Sequence, residues 1–194
     1  MSENHNPNKQ VIIGVAVIVA ICLACCAIGG ATTVVGLPYL NQWAVAQAEA
    51  QAPEPLQVGK PAPNFELTDL DGETVRLSDL QGKPVLLVFG ATWCPPCRAE
   101  APLVQQVHED HPEMVVIWVD MEESASTVRR YVEKTGLTHR VLLDTSGRVA
   151  ELYHIYAIPT SFFIDSDGIL RAMLIEELTR PFLADTLPLI GVTP

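Results

Sequence analysis

From residue 58 onward, apolar residues fall into short runs separated by turn signals. Val85-Leu86-Leu87-Val88-Phe89 and Met114–Val119 are continuous apolar runs, the pattern of central parallel strands buried on both faces. Phe65–Thr68 and Thr74–Leu77 flank Asp71-Gly72 and predict a hairpin, followed by one helical turn at Ser78-Asp79-Leu80 that ends at Gly82. A helix is expected from about Cys97 to Asp110, with a kink at Pro102. Ser124 is placed to cap a helix that runs through Lys134 and stops at Gly136. Arg140–Leu143 reads as a short strand, and Thr145-Ser146-Gly147 then turns into a helix near Val149–Tyr153. Ser161–Ile164 and Ile169–Ile175 flank Asp165-Ser166-Asp167-Gly168, a second hairpin signal, and a last helix spans about Thr179 to Leu187. The order is that of an α/β domain.

The first part of the chain follows another pattern. Val11 to Gly36 is a 26-residue stretch without a charged side chain. As a helix it would be roughly 39 Å long, against roughly 30 Å for a bilayer core. This predicts a transmembrane anchor at 11–36, a linker at 37–57 and a folded domain at 58–194. Lys9 precedes the stretch and no further cation occurs until Lys60, which places residues 1–10 in the cytoplasm and the domain outside. Tyr39 and Trp43 sit where interfacial aromatics belong. A cleaved signal peptide is the competing reading, because Ala44-Val45-Ala46 and Ala48-Glu49-Ala50 are A-x-A sites. Cys22, Cys25 and Cys26 lie inside the apolar stretch and read as small hydrophobic residues.

Two cysteines remain, in Trp93-Cys94-Pro95-Pro96-Cys97. A strand that turns into a helix here puts Cys94 at the helix N-terminus, where free N–H groups and the macrodipole favour a thiolate. The thiolate is the attacking form, so Cys94 is the expected nucleophile and Cys97 the resolving thiol. Half of a zinc site is the alternative, but no second Cys pair or close Cys/His pair outside the apolar stretch completes four ligands. No metal and no cofactor are called for. His108-Glu109-Asp110-His111 reads as a solvated helix end, and His139 and His154 are isolated. Pro95 and Pro96 carry no N–H, leaving the Cys97 N–H as the main local donor to the Cys94 sulfur. Sparse donors favour a reductant over an oxidant.

Residues 58–194 hold 11 Lys and Arg against 20 Asp and Glu. That balance argues against nucleic acid and anionic lipid as partners and favours neutral or basic ones.

The WCPPC motif with Arg98-Ala99-Glu100, Pro102 and Ile158-Pro159-Thr160 resembles thioredoxin-fold proteins. The lead-in Gly59-Lys60-Pro61-Ala62-Pro63-Asn64-Phe65 and Asp69-Leu70-Asp71-Gly72 are similar to the TlpA/ResA-like group of membrane-tethered bacterial thiol-disulfide oxidoreductases, some serving cytochrome c maturation. The resemblance implies a thioredoxin fold with an N-terminal β-hairpin and a central helix-strand insertion over 121–155, preceded by one transmembrane helix. It implies disulfide-containing protein substrates and a membrane thiol reductant that recharges the dithiol. It also implies that Pro159 is cis and faces the dithiol, with the Ile158 backbone open to an extended substrate segment. With Thr160, Trp93, Pro95 and Pro96, these residues make the expected substrate-binding surface. Thioredoxins carry an Asp six residues before the nucleophile, and Val88 stands there instead. Glu100 matches an acid of the ResA-like proteins and is the expected proton acceptor for Cys97; the other reading is a first-turn acid that serves the helix dipole.

Two other functions fit parts of the chain. A thiol peroxidase of peroxiredoxin type shares the opening around Phe65, but its signature wants Pro and Thr or Ser where Leu87 and Ala91 stand. A non-enzymatic copper- or thiol-binding module is the third reading.

Overall fold

The structure is a computed structural model and describes residues 56–193. The expected segments 1–10 and 11–36 and nearly all of the linker 37–57, with Cys22, Cys25, Cys26, Tyr39 and Trp43, lie outside the described residues. Among the described residues, no helix is long and apolar enough to cross a membrane.

The strands are β1 (Glu66–Asp69), β2 (Thr74–Arg76), β3 (Val85–Gly90), β4 (Val115–Met121), β5 (Arg140–Asp144), β6 (Thr160–Ile164) and β7 (Leu170–Leu174). They form one sheet in the order β2-β1-β5-β4-β3-β6-β7. The central trio β5, β4 and β3 is parallel, and β6, β7 and the hairpin β1–β2 extend it antiparallel on either side. Among the described residues four α-helices accompany it, α1 (Pro95–Asp110), α2 (Ala125–Thr135), α3 (Arg148–Leu152) and α4 (Arg180–Thr186), with 3-10 turns at Leu77–Leu80 and Leu187–Ile190.

The continuous apolar runs are explained by two cores, one on each face of the sheet. Leu86 and Val88 of β3 pack with Val104, Trp118, Phe163 and Leu183, in the core that also holds both cysteines. Val85, Leu87 and Phe89 pack with Phe65, Ile117, Tyr153 and Phe162 on the opposite face. A strand buried on both faces cannot alternate with polar residues. Each large side chain so buried contributes about 1.5–3 kcal/mol.

The capping residues are those expected for α2. Ser124 Oγ accepts from Thr127 N–H, and Gly136 closes the helix in the left-handed region at φ 72°. Helix α1 begins two residues earlier than expected: Pro95 and Pro96 occupy its first two positions and Cys94 is the cap. Proline is suited there, since those N–H groups have no helical partner and its φ is already helical. Pro102 lies within α1 on the exposed side.

Candidate active site

Strand β3 ends at Gly90, and Ala91-Thr92-Trp93 carry the chain into α1. The Cys94 N–H donates to the Ala91 carbonyl at 3.1 Å, which fixes the turn. Cys94 and Cys97 are joined in a disulfide. The Cys97 N–H points at the Cys94 sulfur at 3.2 Å, as the two prolines require. Residue exposure hardly separates the two cysteines, at 2% for Cys94 and 0% for Cys97. Position does: Cys94 caps the helix, while Cys97 lies inside its buried face with Glu100, Ala101 and Val104. Pro95 and Pro96 are exposed, and Trp93 beside them is 64% exposed.

The Ile158-Pro159 bond is cis. The Ile158 carbonyl oxygen lies 3.8 Å from the Cys94 sulfur, so this loop faces the dithiol as expected. Sheet register brings it there: Thr160 pairs with Phe89, at the end of β3 from which the active loop departs. The Thr160 hydroxyl donates to the Ala157 carbonyl at 2.8 Å and braces the turn. Thus Cys94, Cys97, Ile158, Pro159 and Thr160 converge, with Trp93, Pro95 and Pro96 on the adjoining surface. Tyr156, which the motifs did not single out, is exposed in the same loop.

Glu100 is no surface acid. It is 1% exposed and sits on the core face of α1, one turn after Cys97. Its Oε2 accepts the Leu178 N–H at 2.8 Å, while Oε1 is buried without a partner. Burial is the main cause that raises its pKa to about 7; the Leu178 N–H opposes this and Glu177 adds to it. Such a group can take and return a proton near neutral pH.

A second buried acid was not legible. Asp120, near the end of β4, is 1% exposed, and neither of its oxygens makes a well-formed hydrogen bond, although the Trp118 side chain stands beside it as a donor. Burial, then the neighbouring Glu123, push its pKa up to about 8. Glu123 in turn accepts the Thr92 N–H at 2.6 Å and the Thr92 hydroxyl at 2.8 Å. The signal available in the sequence was an Asp closing an apolar strand, three residues before another acid. His139 is also buried rather than simply isolated: it lies beside His108, and burial, with His108 adding, lowers its pKa to about 4.

A buried thiol pair at a helix cap, a facing cis-proline loop and a buried acid suit reversible thiol-disulfide exchange. The AhpC/TSA family profile matches residues 58–173. The chain is 38% identical over 129 residues to the thiol-disulfide oxidoreductase ResA of Bacillus anthracis, which covers 66% of this chain and 75% of that protein. Among solved structures it is similar to StoA of Bacillus subtilis, with 28% identity, a TM-score of 0.56, and coverage of 66% of this chain and 97% of that one. It is similar also to the pneumococcal exposed lipoprotein thioredoxin Etrx1 of Streptococcus pneumoniae, with 32% identity, a TM-score of 0.57, and coverage of 65% and 98%. The chain therefore belongs to the AhpC/TSA family, as a ResA-like thiol-disulfide oxidoreductase of the thioredoxin superfamily.

Proposed function

We propose that the dithiol is a reductant, held outside a bacterial membrane by the segment 11–36, that opens cysteine pairs in other extracytoplasmic proteins, apocytochrome c among them. Cys94 attacks the partner disulfide and forms a mixed disulfide, releasing one partner thiolate. Cys97, its proton taken by Glu100, then attacks the Cys94 sulfur, frees the second partner thiol and closes the Cys94–Cys97 bond. Two electrons leave the dithiol and reduce the partner, and a membrane thiol partner restores them.

The observation that carries the direction is the poverty of donors around Cys94. Among the described residues, the Cys97 N–H is the one hydrogen bond it receives, while the Ile158 carbonyl, an acceptor, faces it from the other side. An acceptor opposite a sulfur favours the protonated thiol over the thiolate. A less stabilised reduced state gives electrons away more readily. Ile158 also offers backbone to an extended partner segment, with Trp93 and the two prolines beside it.

A peroxidase reading finds less support. Leu87 and Ala91, where that chemistry wants Pro and a hydroxyl, are fully buried, and the Thr92 hydroxyl is engaged by Glu123. The test is capture. A Cys97→Ser chain expressed at the membrane should accumulate mixed disulfides between Cys94 and extracytoplasmic proteins with paired cysteines. Absence of any trapped partner would end the proposal, and so would equal trapping by a Cys97→Ser chain from which Cys94 has also been removed.

A further inference from the structure

We propose that Asp120 and Glu123 share one proton and together set the loop that carries Cys94, with Glu123 as the ionised positioning residue and Asp120 as its donor. The inference builds on the thiol-disulfide role of Cys94 and Cys97.

Glu123 grips Thr92 twice, through its N–H at 2.6 Å and its hydroxyl at 2.8 Å. Thr92 is two residues from Cys94, in the loop between β3 and α1. Glu122, the residue between strand and clamp, is in the left-handed region at φ 58°, unusual for a residue with a side chain. Its N–H donates to the Asp144 carbonyl at 3.0 Å, so the reversal is held in place. That turn redirects the chain beyond β4, where Glu123 meets Thr92.

Asp120 stands opposite Gly90 in the β3–β4 register, beneath the start of the same loop. Both of its oxygens are buried without a well-formed hydrogen bond; the Trp118 side chain stands beside it as a donor, and the Glu123 carboxylate faces it. Two carboxylates this close, with no cation paired to Asp120 among the described residues, repel each other. A proton on Asp120 resolves the conflict, because its O–H then has Glu123 as acceptor. The proton belongs there because the surroundings are unequal: Glu123 holds two close donors and is half-buried, whereas Asp120 is buried and has only a weak contact from the Trp118 side chain. The raised Asp120 pKa, to about 8, agrees with this, with Trp118 opposing the shift. From α2, Tyr131 also faces Asp120, and Arg98 of α1 acts on Tyr131. At neutral pH the loop thus rests on a single negative charge with three donors.

The experiment pairs carboxyl ¹³C NMR of the intact oxidised chain with the rate at which the reduced chain attacks a small aromatic disulfide, both from about pH 5 to about pH 10. Besides Glu100, one further carboxyl should stay protonated past neutrality, and the Thr92 amide resonance should move with its titration. The rate per thiolate should fall as that proton is lost. Asp120→Ala, which removes the donor, should slow the attack at neutral pH about fivefold. Asp120→Asn should recover most of that rate, since its amide can donate to Glu123, and should abolish the alkaline step. Asp120 and Glu123 both ionised well below neutrality would overturn the proposal. So would a shared proton with unchanged rates in the Ala variant, or an alkaline step that persists in the Asn variant. A wild-type chain with no exchange activity would refute the dithiol chemistry alone, because the NMR titration of the oxidised chain still decides the pair.

Discussion

The Leu178 N–H donates to Glu100 Oε2 at 2.8 Å and ties the active-site helix α1 to the segment that leads into α4. The other oxygen is buried with no partner, so the carboxyl is only half satisfied as an anion. One N–H cannot offset the loss of solvent, and the pKa rises to about 7. A structural role needs the Leu178 bond alone, whereas a proton acceptor for Cys97 needs the titration as well.

Glu100→Gln separates the two. Glutamine keeps a carbonyl acceptor for Leu178 and loses the ionisation. The fold should stand, while resolution of a mixed disulfide by Cys97 should slow by at least about tenfold, at the low end for general acid-base groups. Single-turnover kinetics across the neutral range should also lose their step near pH 7. Unchanged kinetics would leave Glu100 only its structural bond.

The two raised carboxyls predict how stability depends on pH. Glu100 moves from 4.5 to about 7 and Asp120 from 3.8 to about 8, so the folded chain holds protons that the unfolded chain has released. Their contribution is fully present below the ordinary carboxylate values and is lost as pH rises through about 7 to 8. His139, lowered to about 4, works in the opposite sense, and only below its ordinary 6.5. Between about pH 6.5 and 8.5 the carboxyls therefore dominate, and the unfolding free energy in urea should drop by on the order of 2 kcal/mol. Glu100→Gln and Asp120→Asn should each flatten the slope. A rise in stability over that interval would contradict both burial assignments.

What the sequence disclosed and what it hid follow from how local each feature is. The double-faced burial of Val85–Phe89, the cap at Ser124 and the stop at Gly136 are written in neighbouring residues, and each stands where expected. The CxxC motif and the Ile158-Pro159 turn are also local, although sheet register alone brings them together. Asp120 escaped notice because a strand-end acid looks solvent-facing until the partners around it are known. The depth of Glu100 was hidden likewise: its cover, Leu178, is 78 residues away in the chain. The burial of His139 was hidden for the same reason, since His108 meets it only across the fold.

Gly90 is required by packing. A Cβ there would lie 2.4 Å from Trp118 Cζ2, in the core that holds the cysteines. Gly90→Ala should therefore destabilise the chain by about 1–3 kcal/mol, the usual range for overpacking. Chemical denaturation of the oxidised chain measures this directly, and a neutral result would mean that the indole moves aside freely.

Trp93 offers a test of the docking surface. Because it is 64% exposed, Trp93→Ala should alter stability by less than about 0.5 kcal/mol. Reaction with a protein disulfide should slow several-fold while reaction with a small aromatic disulfide stays as it was. Equal loss on both substrates would show that Trp93 acts on the dithiol itself and not on partner binding.

The reducing character of Cys94 and Cys97 is the claim on which the functional account turns, and equilibration of the chain with glutathione buffers measures it. With one N–H donor at the Cys94 sulfur and the Ile158 carbonyl opposite, the potential should lie well below the roughly −120 mV of the oxidant DsbA. A value near that of DsbA would mean a strongly stabilised thiolate and would contradict the account.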